Sequence, residues 1–412
     1  MQKIKTNNKN IKNQKAFYFL TFFILIAFSS ETVLWGTNNE QKIRNIGYMI
    51  FAVLVVSWII YAFAFNIQIQ KSTIFLAFLF IILSSVTALI NLDLDIKYIY
   101  ELLLIVSACL VCQAISLDRF QSYYVSIIYL LSIFSLIALI VNELYFPIIE
   151  QFPIIKNKAG GEFYNLFFCV IPKTNGFRRN YGIFREPGVF AVYLMIALIF
   201  ELLNTKKTNF FKVSIFIIAL LTTYSTAGYI SLGILLMAYL CMKSKQENRK
   251  IKAYIAIMIL VCLFFLIYNK SLERVFNKLS FDNDSRNARF GAMRINIHLL
   301  LIEPWKVTFG QGFTRVEELF PIIAKQLEVG SIHNPNTFFK ILSVHGIVYF
   351  FTVLYMLYNF FRKSMENVLK AIIAFLVVLL IFSNEDFIVN SLIYLLIFYA
   401  RQPIREENNE NF

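Results

Sequence analysis

Three clusters of residues in this sequence have the types and spacing to handle a phosphate ester. The first is Arg178, Arg179, Arg185 and Glu186, followed at once by Pro187 and Gly188. Guanidinium groups bind phosphate oxygens in paired, planar geometry, and a carboxylate beside them can take a proton from a hydroxyl. The same residues also suit a helix entrance: proline fits the first helical position, and an acidic neighbour favours the positive helix end. The second cluster is Arg286, Arg289 and Arg294. On a helix their side chains would fall within an arc of roughly 140°. The alternative is a solvated basic patch, partly offset by Asp282 and Asp284. The third is His333-Asn334-Pro335, just ahead of an apolar run that contains Gly346 and Tyr349. A helix N-terminus disfavours imidazolium, so His333 there would be a neutral ring able to accept a proton or orient a hydroxyl. Asn334 and the arginines are candidates for binding a diphosphate; Glu186, His333 and Arg289 are candidates for the reaction itself. The sequence has two D-x-D runs, Asp93–Asp95 and Asp282–Asp284, but no H-x-x-x-H, no Cys–His pairing with ligand spacing and no phosphate-binding glycine loop. No metal and no cofactor is expected, so the substrate must arrive already activated, as a lipid-linked sugar diphosphate does.

The elements that must position these groups are membrane helices. Hydrophobic residues make up 58% of the 412 and charged residues only 16%, where soluble domains carry about a quarter. The apolar runs recur along the whole chain and are long enough to cross about 30 Å of hydrocarbon. The expected fold is all-α, a polytopic bundle of about a dozen spans forming a single membrane domain over residues 1–412. Helices are predicted near 17–35, 46–65, 73–90, 98–116, 123–142, 187–204, 213–224, 227–242, 253–269, 337–361, 371–383 and 387–400. The run 213–242 is split because Thr222, Thr223, Ser225, Thr226 and Gly228 cluster at its middle. The first run, which begins at Phe17, follows a lysine-rich start but lacks a convincing cleavage site, and is read as an uncleaved span.

Charge placement supports the split. The short segments on one side hold Lys3, Lys5, Lys206, Lys207, Lys243, Arg249, Lys250, Arg362 and Lys363 among others, whereas the short ones opposite hold Lys42, Arg44 and Lys97. Such a bias places both termini in the cytoplasm. It also accounts for the net charge of +14 without nucleic acid. Cys109 and Cys112 lie inside an apolar run and are read as packing residues. Two segments on the opposite side, 143–186 and 270–336, are far longer than the rest, and long loops in compact proteins are usually functional or disordered. The first is crowded with Phe152, Phe163, Tyr164, Phe167, Phe168, Phe177, Tyr181 and Phe184. These suit an interfacial aromatic belt, a platform for stacking sugars, or both. Ionisable residues within spans are few: Glu31, Glu101 and Lys340 fall near outer ends, Glu201 near an inner end, and His345 a turn or two deep. A charge-free midplane argues against an ion-coupled transporter.

Several stretches together resemble bacterial O-antigen polymerases and, more loosely, the superfamily that includes the O-antigen ligases. Asn180 through Ala191 is similar to the polymerases' Gly-x-Phe-x-Glu-Pro entrance to a span. Leu221 through Ile230 resembles their leucine–threonine–x–x–serine break, although Thr226 stands where many relatives have arginine. Arg289 through Pro304 to Gly310-Gln311-Gly312 resembles the loop ending in a Gly-x-Gly turn. His333-Asn334 with Gly346 and Tyr349 resembles a ligase motif, with a longer spacing. The resemblance covers roughly residues 175–350. It implies a metal-independent glycosyltransferase of the inner membrane. Its partners would be oligosaccharide linked to undecaprenyl diphosphate, membrane lipid and a chain-length regulator protein. An O-antigen ligase is the close alternative and a lipid-linked oligosaccharide flippase the distant one.

Overall fold

The apolar runs fold as helices in the computed structural model, which describes residues 2–29, 31–33, 41–68, 70–158, 160–173, 179–204, 208–241, 284–329 and 334–402. In chain order the helices are α1 (Gln2–Ala27), α2 (Gln41–Ala64), α3 (Lys71–Asn91), α4 (Ile96–Ala114), α5 (Leu117–Leu144), the single turn α6 (Phe146–Ile149), and α7 (Pro187–Ile199) with a π-helical extension to Asn204. There follow α8 (Phe210–Thr223), α9 (Thr226–Cys241), α10 (Asp284–Leu301), α11 (Phe313–Gln326), α12 (Thr337–Ser364), α13 (Val368–Phe382) and α14 (Ser391–Tyr399). Among the described residues, six helices are long and apolar enough to cross a membrane: α3, α4, α5 and α12, with Asn45–Ala64 of α2 and α7 through its extension. Five shorter apolar stretches accompany them. The chain is thus an all-α polytopic membrane protein. The expected span at 253–269 lies outside the described residues.

α7 is the axis. All of its thirteen residues are buried, and a helix apolar on every side is stable only when neighbours enclose it. It packs against α5, α8, α9 and α13. α14, buried along its whole length, fills the corresponding place between α1, α4 and α12. α2 and α3 instead turn Val53, Ile60, Phe63, Phe75, Phe78 and Ile82 outward, which in lipid is an apolar surface against an apolar solvent.

Two interruptions shape the bundle. The run 210–241 breaks at Tyr224, which caps α8 in the left-handed conformation (φ 51°); the threonine–serine cluster predicts this break. The second lies inside α12, where Gly346 takes φ 80° and ψ −177°. The turn before α11 enters that gap. Gln311 N donates to Ser343 O at 2.8 Å, Gly312 N to Val344 O at 3.0 Å, and Ile347 N to Val307 O at 3.0 Å. Carbonyls and amides freed by the kink are thereby satisfied, as hydrocarbon requires. A Cβ on Gly310 would lie 2.2 Å from Val344 O, and one on Gly346 2.4 Å from Thr308 O, so the crossing needs both glycines.

The first long segment contains structure of its own. Strands β1 (Ile154–Lys156), β2 (Glu162–Asn165) and β3 (Val170–Pro172) form an antiparallel sheet in the order β1-β2-β3, with Ile155 opposite Phe163 and Tyr164 opposite Ile171. Tyr164, Cys169 and Ile171 cover Ala138 of α5 and Ile149. Phe163, Tyr164 and Phe184 are buried. Phe163 and Phe184 join the main core and Tyr164 the small cluster against α5, so none of the three offers a face to a sugar, whereas Phe167 is exposed.

Candidate active site

The segments joining the helices at one end of the bundle converge on Arg185. Residues 31–33 after α1 run antiparallel to residues 183–185: Val33 N donates to Ile183 O at 3.0 Å and Arg185 N to Glu31 O at 3.0 Å. This pairing sets the Arg185 side chain beside the Glu31 carboxylate, to which its Nε donates. Its Nη1 donates to Glu186, and its Nη2 lies 4.0 Å from Glu385 in the α13–α14 connection. Burial weakens a guanidinium's hold on its proton, but these three carboxylates outweigh it and raise Arg185 above the ordinary arginine value. Glu186 is extended at the N-cap of α7, with Pro187 as the first helical residue, as the sequence indicates. Gly188 lets the cluster close: a Cβ there would stand 1.8 Å from Glu385 Oε1.

A chain of ion pairs continues from this cluster across the same end. Glu385 O accepts from the Thr337 hydroxyl, and Phe387 N donates to Thr337 Oγ1 at 2.9 Å, tying the connection to the start of α12. One turn on, Lys340 Nζ is 2.6 Å from Asp386 Oδ2 and 3.8 Å from Glu317 of α11. Glu317 in turn meets Lys97 of α4 at 2.7 Å. Burial pushes the Asp386 carboxyl up, but the Lys340 charge and hydrogen bond hold it below the ordinary aspartate value.

Arg179 and Asn180 lie on the break between α8 and α9. Arg179 Nε donates to Thr223 O at 2.9 Å and Nη2 to Tyr224 O at 3.2 Å, so the guanidinium caps the carbonyl end of α8. Burial lowers its pKa from the ordinary arginine value. Asn180 N donates to Thr222 O at 2.9 Å, and its Nδ2 reaches Ser135 Oγ and Thr222 Oγ1, each at 3.1 Å. The first long segment is therefore fastened to the break by two consecutive residues.

Asn334 pairs reciprocally with Asn296 of α10 at 2.9 and 3.0 Å, and Asn296 Oδ1 also accepts from Ser343 of α12 at 2.7 Å. The segment before α12 is thus bound to α10, the helix that carries all three residues of the second arginine cluster. Arg294 is exposed. Arg286 and Arg289 lie on α10, but their side chains fall outside the described residues, as do Arg178 and His333 altogether. Arg179, Arg185, Glu186 and Asn334 are gathered at one end of the bundle together with Lys340.

Sequence reasoning missed the carboxylates around Arg185. Glu31 is separated from it by 154 positions, and Glu385 sits in a short break between apolar runs. Counting spans puts both breaks at the same end of the bundle as Arg185, and that was the available signal. Glu101 was read as lying near a helix end. It is wholly buried and accepts from Ser84 at 2.7 Å, from Tyr394 at 2.7 Å and from Tyr349, with His345 Nε2 at 3.5 Å. Tyr349 thereby links α12 to α4 and α14 just beyond the Gly346 kink.

Residues 211–354, about a third of the chain, match the sequence model of a family described as O-antigen ligase. The match runs from α8 through α12, the stretch that holds both breaks and α10. It agrees with the O-antigen polymerase/ligase superfamily to which the motifs point. Comparisons with curated proteins and with solved structures give no match.

Proposed function

We propose that this protein polymerises lipid-linked oligosaccharide repeat units at the outer face of the inner membrane. The acceptor sugar hydroxyl attacks the anomeric carbon that joins the growing glycan to undecaprenyl diphosphate. The carbon–oxygen bond to phosphate breaks, its electron pair leaves with the diphosphate, and the hydroxyl proton passes to a base. Negative charge grows on the leaving diphosphate, and fixed cations aimed at it stabilise the transition state. Arg289, with Arg178, Arg179, Arg286, Arg294 and Asn334, is assigned to that charge. Glu186 or His333 takes the proton, a contribution of about a hundredfold or more in rate. Arg185, already enclosed by three carboxylates, serves chiefly to fix Glu186 at the mouth of α7.

The observation that carries this reading is the convergence of Arg179, Arg185, Glu186 and Asn334 at one end of a membrane bundle whose α8–α12 region matches the family. The Asn180–Ala191 stretch lies outside the matched region and resembles the polymerases, which favours polymerase over ligase. The family's description keeps ligase as the second reading. A gel of surface glycans and lipid-linked intermediates from a host lacking the gene separates them. A polymerase defect leaves single repeat units on the lipid core and no ladder. Long chains retained on the carrier mean ligase, and single units accumulating on the cytoplasmic side mean a flippase.

A further inference from the structure

A polar cavity opens at the same end of the bundle, between the α3–α4 connection and the start of α11. It encloses about 630 Å³ and is lined by Asn91, Asp93, Asp95, Gln311, Arg315 and Glu318 among others. Most of its ionic groups are committed to the frame. Asp93 Oδ1 accepts from Thr314 Oγ1 at 2.6 Å and from Asp95 N at 3.1 Å, and Asp93 Oδ2 accepts from Thr314 N at 3.0 Å and Tyr98 at 3.3 Å. Asp95 pairs with Lys97 at 3.1 Å and Arg315 with Glu303. The exception is Gln311. Its side chain is fully buried, yet among the described residues neither its Nε2 nor its Oε1 has a hydrogen-bond partner, and neither does Asn91 Oδ1. Unsatisfied buried polar atoms are rare and costly, and here three of them belong to two residues lining one cavity.

We propose that this cavity is a saccharide subsite, in which the Gln311 amide and Asn91 Oδ1 bind vicinal hydroxyls of a lipid-linked repeat unit; this deepens the transferase reading above and rests on it. The Gln311 NH2 with its two N–H donors, and the two oxygens Gln311 Oε1 and Asn91 Oδ1 as acceptors, complement sugar hydroxyls, which donate and accept. Three carboxylates line the cavity against one guanidinium, a balance that repels phosphate and separates this subsite from the arginines assigned to the diphosphate. The rim is apolar: Leu92 and Leu94 are 88% and 99% exposed, which suits a wall at the lipid surface where a membrane-anchored glycan is presented. The cavity is joined to the rest of the site through α11. Arg315 and Glu318 line it, and Glu317 between them bridges Lys97 and Lys340.

The test uses the full-length protein in lipid nanodiscs. The probe is the repeat-unit oligosaccharide released by mild acid from the host's own lipid carrier, with undecaprenyl phosphate and inorganic phosphate as competitors. Wild type is expected to bind the oligosaccharide without competition from either phosphate. Gln311→Leu, similar in size and unable to hydrogen-bond, should weaken binding about tenfold, the equivalent of one or two lost hydrogen bonds. Its unfolding temperature should be equal or higher, because an unsatisfied amide has been removed. Should that variant not fold, Glu318→Ala at the exposed edge is expected to weaken binding about threefold or more. Unchanged affinity in the folded variants, or displacement of the oligosaccharide by phosphate, overturns the subsite. The readout does not depend on which transfer occurs: a ligase pattern in the deletion host removes the polymerase reading and leaves the saccharide subsite standing.

Discussion

Replacing Arg185 by glutamine separates its structural work from any contact with substrate. The side chain is 20% exposed, while Glu31 and Glu385 are 9% and 8% exposed and Glu186 is 52% exposed. The Glu186 pair is screened by water and worth below about 1 kcal/mol. Glu31 is different. Without Arg185 its carboxylate remains buried and uncompensated, and breaking such a pair costs about 3–5 kcal/mol. Arg185→Gln should therefore lower thermal stability in detergent markedly, and Glu385 adds to the imbalance at 4.0 Å. Glu31→Gln in the same chain removes the stranded charge, so the double variant should recover roughly half of the loss, a coupling of about 2 kcal/mol. The assay is paired: the unfolding midpoint of the purified protein and the glycan ladder in a host carrying only the variant. Recovered stability with a missing ladder assigns Arg185 a role in the reaction beyond structure, as the support for Glu186. An Arg185→Gln protein with wild-type stability, or a double variant whose losses add, refutes the account of the cluster.

Arg289→Ala should abolish long polymer while leaving the protein at wild-type level in the membrane, as judged by immunoblot and gel. Full-length polymer from that variant removes Arg289 from the site. Gly310→Ala places a methyl 2.2 Å from Val344 O at φ +76°; left-handed strain and overpacking together cost about 2–5 kcal/mol, visible as a lowered unfolding midpoint. Asp386 gives an acid limb to stability. Its folded pKa is below the ordinary 3.8, so the unfolded chain takes up the proton first as pH falls. The Lys340–Asp386 contribution is therefore complete above the ordinary value and lost below it. Asp386→Asn should lower the midpoint at neutral pH and flatten its fall below the ordinary aspartate value, and a profile as steep as wild type assigns the acid limb to other groups.

The sequence made the spans legible because hydrocarbon tolerates few backbone geometries, and it made the α8–α9 break legible because threonine, serine and glycine interrupt an otherwise continuous run there. The kink at Gly346 was hidden, since its cause is the Gly310 turn of another segment, and close approach of two glycines leaves no periodic trace. The small sheet of residues 154–172 was hidden too: its aromatics read as a belt or a platform, whereas Phe163 is packed into the main core and Tyr164 into the small cluster against α5. The arginines were found, but their meaning changed once their partners were known. Arg179 spends its guanidinium on the carbonyls of Thr223 and Tyr224, and Arg185 spends its own on Glu31 and Glu186. A cation committed in this way has less charge left for a diphosphate than its residue type suggests. The leaving-group charge then falls chiefly to the arginines of α10, a helix tied through Asn296 to both Asn334 and Ser343, and Arg185 and Arg179 matter because they fix where Glu186 and the α8–α9 break stand relative to that helix.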